Sequence, residues 1–439
     1  MRAGRWILLF FALGATARGQ EPAPWEVGSY DPPWAARPAR RTFPLEYDRR
    51  ASAEANGERL YEAMSALRPG DTLVVAGGTW SIARRTNLVL VGTAEAPIRI
   101  VAAKGETPVL TRPDAAQNVL NLGEDDRVRT EYVLFAGLEF TGGSSLLRIH
   151  ACSNVWIDRC EFHHGGAEGI TANTRDTDHL YLTRNHIHHF EAPGATGEGM
   201  YLGANDGKVA MSWSVVAANH VHDTGGEQGD GIELKQGSHG VWIVENHVHD
   251  THYPAILVYG TGGKGVNVVE RNVLYRSGDN TLQVQGEAIV RNNLVVGGAT
   301  ALASTDHQGK TRDLVVVHNT IVHRELAVNL SSWNGRDGLV FANNAVYSEG
   351  TAIRFPEGSA GVTFAGNVVF GAVEGVPDEG RKGRGLADFR DLSWDGERRD
   401  ATPAPGSALL GAGDRTWLVP TDLEGGRRRA LAAGAVRGR

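Results

Sequence analysis

Cysteine, lysine and long apolar runs are all scarce in this sequence, and each scarcity excludes something. The 439 residues hold two cysteines, Cys152 and Cys160, on either side of an apparent strand at 154–158. A straight strand keeps them beyond the Cα reach of a disulfide, so two unpaired thiols are expected, and two thiols alone do not make a metal site. Lysine occurs at six positions only, 104, 208, 235, 264, 310 and 382, which leaves 38 of the 44 basic residues as arginine. A lysine in any given place is therefore the uncommon choice. No stretch reaches the length of about 20 apolar residues that a bilayer-spanning helix needs, so no membrane span is expected. The formal charge of −7 disfavours nucleic acid and anionic membranes as partners and leaves acidic substrates open.

What is present is a globular composition, 41% hydrophobic and 22% charged, with 56 Gly against 17 Pro, enough to bury a large core. Residues 1–19 combine a basic start (Arg2, Arg5), a short apolar run and the small-residue pattern Ala15-Thr16-Ala17, the marks of a secretory signal. A secreted or periplasmic, soluble and monomeric protein is expected. No cysteine lies beside the cleavage pattern to carry a lipid anchor.

From about residue 70 a unit of roughly 25 residues recurs: an alternating strand, an Asn, a short strand, a polar turn and a second alternating strand. Its clearest copy runs through residues 241–259, and the Asn recurs at 185, 219, 246, 272, 292, 319, 343 and 367, with Cys160 in the preceding copy. Period-2 alternation in so short a repeat, rich in Gly and Val, is what a parallel β-helix requires, and a single-stranded, right-handed one is expected. Each coil supplies three strands, and the Asn is read as structural, marking a sharp turn and stacking into an amide ladder. The all-β solenoid is placed at 70–376, after an N-terminal segment (20–69) that ends in an amphipathic capping helix over 52–67, with Leu60, Met64 and Leu67 on one face. The tail, 377–439, loses the repeat and becomes an irregular cap that shields the strand edges.

In-register coils turn sequence spacing into columns. One outward column reads Thr171, Tyr201, Glu233, Leu257, Gln283, Ala303, Asn329, and the next Asn173, Gly203, Lys235, Tyr259, Gln285, Thr305, Ser331. Turns beside them carry Asp223, Glu227, Asp230, His252, His307, Trp333 and Arg336. Mixed aromatic, amide and charged groups in a straight line suit a linear glycan, with Tyr201, His252, Gln283, Gln285, His307, Trp333 and Arg336 as sugar contacts. An ordinary wet β-surface would look similar. Glu233 and Lys235 point to the same side, either as a structural ion pair or as chemistry in which a desolvated Lys235 removes the proton alpha to a uronate carboxylate.

Over the segment 228–240, Gln-Gly-Asp-Gly-Ile-Glu-Leu-Lys-Gln-Gly-Ser-His-Gly, and the following coil, the chain resembles the right-handed β-helix polysaccharide lyases, alginate and chondroitin B lyases above all. The resemblance implies an acidic polysaccharide as substrate, β-elimination as reaction, Lys235 as catalytic base and Ca²⁺ held by nearby acids, here Asp230, Glu233 and Glu198. Those lyases place an arginine on the next coil at the position that Tyr259 holds in this sequence. Tyr259 would then protonate the leaving oxygen or share the role of base. For a glycoside hydrolase the acids to consider are Asp223, Glu227, Asp230 and Glu233, and a non-catalytic glycan-binding or envelope protein is the third reading.

A separate motif, Asn-His-Ile/Val-His, appears on three coils at 185–188, 219–222 and 246–249, and twelve of the 16 His lie between 163 and 252. Columns His186/His220/His247 and His188/His222/His249 have the spacing to share Zn²⁺ or Cu²⁺. A stacked imidazole ladder explains the repetition without metal.

Overall fold

The computed structural model describes residues 30–84, 87–192, 194–376, 379–428 and 430–438. The expected leader, 1–19, lies outside them. The described chain is a right-handed parallel solenoid of about 13 turns with one α-helix. Each coil contributes one strand to each of three faces, and every face is a parallel ladder.

Alternation fixes which side chains go in. On the first face the inward column runs unbroken through Leu73, Ile100, Phe135, Ile157, Leu182, Val216, Ile243, Val269, Val290, Val316 and Phe341, each paired with the next. Nearly all are fully buried, and each contributes about 1.5–3 kcal/mol by leaving water. A slip of one residue would turn such a column outward, so this core also sets the register of the outer surface.

The asparagine ladder exists, with two of its members shifted by one. Its rungs are Asn185, Asn219, Asn246, Asn272, Asn293, Asn319, Asn344 and Asn367; Asn292 and Asn343 are the residues before a rung. Each rung's Nδ2 donates to the next Oδ1 and to a strand carbonyl of the preceding coil, as Asn246 does to Asn272 at 3.0 Å and Val216 at 2.9 Å. The left-handed backbone expected of the rung belongs to the residue before it: Arg184, Ala218, Glu245, Arg271, Asn292, His318 and Asn343 all have φ between 53° and 58°. The rung is chosen for its amide, and the turn is made by whatever precedes it. Cys160 occupies the head position, its N donating to Asn185 Oδ1 at 3.0 Å. Both thiols are free and buried, and burial pushes each up to about 12.

The helix forms over Ala53–Ser65, N-capped by Ser52, whose Oγ accepts from Ala55 N at 3.1 Å. Leu60 and Met64 close the end of the core. Gly57 permits the close approach, because a Cβ there would lie 1.9 Å from Ser81 O. A strand the sequence did not announce, Arg41–Leu45, precedes the helix and pairs with Asp71–Val75. At the other end Arg381–Lys382 adds to the last coil. The remaining irregular tail does more than cap: Phe389, Leu392, Ala401, Leu409 and Val436 lie along the flank over Tyr275, Val296, Val322 and Tyr347. No described helix is long and apolar enough to cross a membrane.

Candidate functional site

Ile232 and Leu234 are in the core, so the intervening Glu233 and the following Lys235 project outward from the third face. The first expected column forms as read: Thr171, Tyr201, Glu233, Leu257, Gln283, Ala303 and Asn329 pair in succession. Lys235 does not extend into solvent. Its Nζ donates to Glu233 Oε1, both side chains are 3% exposed, and the ammonium lies 4.4 Å from the ring centre of Tyr201 and 5.2 Å from that of Tyr259. Gly203 makes this fold-over fit, since a Cβ there would sit 3.1 Å from that of Lys235. The pair is thus a desolvated one, in which Coulomb attraction and cation–π contact offset the cost of burial.

Tyr259 Oη sits 3.2 Å from His307 Nε2, the ring of His307 meets it edge-on, and His307 Nδ1 lies 3.4 Å from Gln283 Nε2. Burial, then the Glu233 charge, raises the Tyr259 phenol above its ordinary value, so it is a proton donor at neutral pH. Burial, then the charge of Lys235, lowers His307. Gln285 Oε1 accepts from Gly260 N at 3.3 Å. Lys235, Glu233, Tyr201, Tyr259, His307, Gln283 and Gln285 therefore converge.

Behind them stands a column of acids that the sequence showed only in part. Glu168, Glu198 and Asp230 each precede a glycine, and the coils pair there, Gly169 N donating to Glu198 O and Gly199 N to Asp230 O. Glu198 is 1% and Asp230 3% exposed, yet Glu198 Oε2 and Asp230 Oδ1 have no hydrogen-bond partner among the described residues. Burial pushes Glu198 up to about 7, and burial followed by the Glu233 charge holds Asp230 well above the carboxylate range. Unpaired, buried oxygens of this kind fit a hard divalent cation. Glu168 was missed, although acid-Gly-apolar recurs at 168–170, 198–200 and 230–232.

Other expected residues lie elsewhere. Trp333 is a correction: it is fully buried, packs on Phe355 and donates from Nε1 to Ser304 Oγ at 2.9 Å, because Ser332 at φ 60° re-aims the chain inward. Arg336 is committed to Asp306 Oδ2 at 2.9 Å and Thr311 O at 3.3 Å, bracing the turn that carries His307. His252 is exposed on a turn beside Tyr253. Asp223 belongs to a different face, where it binds His222, and Glu227 is exposed, so neither shares a cleft with Glu233.

That different face carries the histidines. Ile187, Val221 and Val248 are buried, so both expected columns form outward, in register. Rings His186, His220 and His247 stack at 5.1 and 4.9 Å, and His188, His222 and His249 at 5.2 and 5.1 Å. Burial, then neighbouring imidazoles, lowers His220 to about 3, and burial lowers His188 and His247 to about 4. The rings of His188, His220 and His247 are therefore neutral at neutral pH.

Residues 171–398 match the family model described as periplasmic copper-binding protein (NosD), and residues 46–244 that described as Pel9A-like, right handed beta helix region. No curated protein matches the chain. Among solved structures, pectate lyase Pel9A aligns over 92% of this chain and 98% of its own at 15% identity and a TM-score of 0.52. XylC in complex with xylose aligns over 86% and 94% at 10% identity and 0.55. An alginate lyase from Paenibacillus sp. str. FPU-7 aligns over 76% and 100% at 17% identity and 0.49. At these identities the likeness to the solved structures is one of fold.

Proposed function

The chain belongs to the family described as periplasmic copper-binding protein (NosD), and from that premise we propose an exported protein that cleaves a uronate-containing polysaccharide by β-elimination at Lys235. The family's description and the expected leader support a location outside the cytoplasm, periplasmic or secreted. The reaction type is the one in the name of the pectate lyase that shares the fold. The observation that carries the reading is the desolvated Lys235, held between two tyrosines beside acids with unpaired buried oxygens.

In the proposed reaction Glu233, whose carboxyl burial raises, takes the proton from Nζ of Lys235 across the hydrogen bond that joins them. The free amine of Lys235 then takes the proton alpha to the uronate carboxylate. The electron pair of that C–H bond forms the new carbon–carbon double bond, the bond to the glycosidic oxygen breaks, and Tyr259 donates its phenolic proton to the departing oxygen. His307 holds the Tyr259 hydroxyl in place, and Tyr201, Gln283 and Gln285 contact neighbouring sugars. Glu198 and Asp230, with Glu168 beside them, would hold Ca²⁺, which when bound neutralises the uronate carboxylate and the charge developing on it.

The test is an assay of the purified chain on alginate, pectate and glycosaminoglycans, with and without chelator. Unsaturated, ultraviolet-absorbing products that vanish in Lys235→Ala are expected. New reducing ends without that absorbance would replace elimination by hydrolysis, and bound but uncut polymer would make the chain a binder.

A further inference from the structure

The histidine face has no part in the elimination chemistry, and its geometry goes beyond a stacked ladder. The ligand nitrogens of His186, His220 and His222 all lie within 4.8 Å of one another, and so do those of His220, His247 and His249. We propose that these imidazoles bind one Cu²⁺ ion per chain, with His220 held in common by the two triads.

Orientation is the first argument. Nδ1 of His222 lies 2.6 Å from Asp223 Oδ2, and Nδ1 of His249 lies 2.6 Å from Asp250 Oδ2. A carboxylate accepts, so each Nδ1 carries the proton and each Nε2 presents a bare lone pair. Those lone pairs do not face water. Nε2 of His222 is 2.8 Å from Nε2 of His186, and Nε2 of His249 is 2.9 Å from Nε2 of His220. A carboxylate fixing the far nitrogen of an imidazole while the near one converges on others is the arrangement that prepares histidine for a metal. In the metal-free face His186 and His220 would donate from Nε2 across these gaps; to ligate through Nε2 each ring would carry its proton on Nδ1 instead.

The donor set selects the ion. Three neutral imidazoles suit borderline transition ions and not Ca²⁺ or Mg²⁺, and among the divalent series nitrogen donors favour Cu²⁺ over Zn²⁺. The family description names copper without assigning residues; these are residues of this chain that fit it. Access is open, since the His186 side chain is 42% exposed. The columns end where the apolar ones begin, His249 pairing with Tyr275 and Tyr275 with Val296, and there the C-terminal tail covers the flank. Sharing His220 means that both triads cannot hold an ion with three nitrogens at once, hence one per chain.

The full chain, carrying no affinity tag, is titrated with Cu²⁺ and read by calorimetry and electron paramagnetic resonance. Wild type should bind one Cu²⁺ with nitrogen hyperfine structure, and Zn²⁺ should compete more weakly. His220→Gln should bind at least tenfold more weakly and lose that structure. Asp223→Asn with Asp250→Asn should weaken binding about 10- to 100-fold and keep it, which a merely structural aspartate would not do. Lys235→Ala should bind as wild type does, which separates this site from the elimination reading. If His220→Gln does not fold, the double variant His186→Gln with His247→Gln, at two half-buried positions, which reduces each triad to two nitrogens, must show the same tenfold loss. Wild type without a stoichiometric site, or a folded His220→Gln with unchanged affinity and spectrum, overturns the proposal.

Discussion

Tyr201 and Tyr259 face each other across the ammonium of Lys235, one from the coil before it and one from the coil after, at 4.4 and 5.2 Å from ring centre to Nζ. In-register stacking of successive coils brings residues 58 positions apart in sequence (259 less 201) into this clamp. The clamp keeps water from a lysine that also has a carboxylate partner.

Removing the lysine should separate chemistry from stability. Lys235→Ala should lower turnover on the cleaved polymer by about 10²- to 10⁴-fold. It should also cost about 3–5 kcal/mol by stranding Glu233 without its partner. The double variant Lys235→Met with Glu233→Gln should regain much of that stability in denaturant unfolding and remain inactive. Recovery of activity in the double variant would remove Lys235 from the reaction.

The acid column makes stability depend on pH and cation together. Unfolded Glu198 ionises near 4.5 and the folded residue near 7, so between these values the folded chain keeps a proton that the unfolded chain has released. Stability is complete below that window and falls as pH rises through it, by about 3 kcal/mol for Glu198 alone. Melting temperature in chelator should therefore decline from pH 4.5 to 7, and Ca²⁺ should restore it at the upper end. A calcium effect equal in Glu198→Gln and wild type would place the ion elsewhere.

Tyr259→Phe should reduce kcat with little change in KM, because the lost hydroxyl acts on the leaving oxygen. His307→Ala should do part of the same through the 3.2 Å contact that positions that hydroxyl. Equal rates for Tyr259→Phe and wild type would assign the leaving-group proton to another donor.

The ladder predicts a stabilising change at its head. Cys160 Sγ lies 3.7 Å from Phe135 O, the carbonyl equivalent to those that each Asn amide reaches, and its own N already donates to Asn185. Cys160→Asn should add a rung and raise stability by about 1 kcal/mol. Asn246→Ala, in mid-ladder, should cost about 3 kcal/mol or more by orphaning buried groups of Asn219 and Val216. Thermal unfolding checks both signs.

Much of this was legible because alternation and repeat length fix the columns: Tyr201, Glu233 and Gln283, or His186, His220 and His247, follow from counting. Legibility failed where the count is broken. Asn292-Asn293 and Asn343-Asn344 are doublets whose second member is the rung, a choice that period alone does not make. Trp333 follows a left-handed serine, so alternation from the preceding strand gives the wrong side. Glu168 gains its meaning from Glu198 on the next coil, and the contact of His307 with Tyr259 depends on the length of the turn that carries His307.

The C-terminal stretch is what waterproofs the flank over Tyr275, Val296, Val322 and Tyr347. Until it docks, the finished coils carry a greasy seam. A molecule truncated before Phe389 would keep that seam for good, and its coils, though correctly wound, would glue themselves to one another.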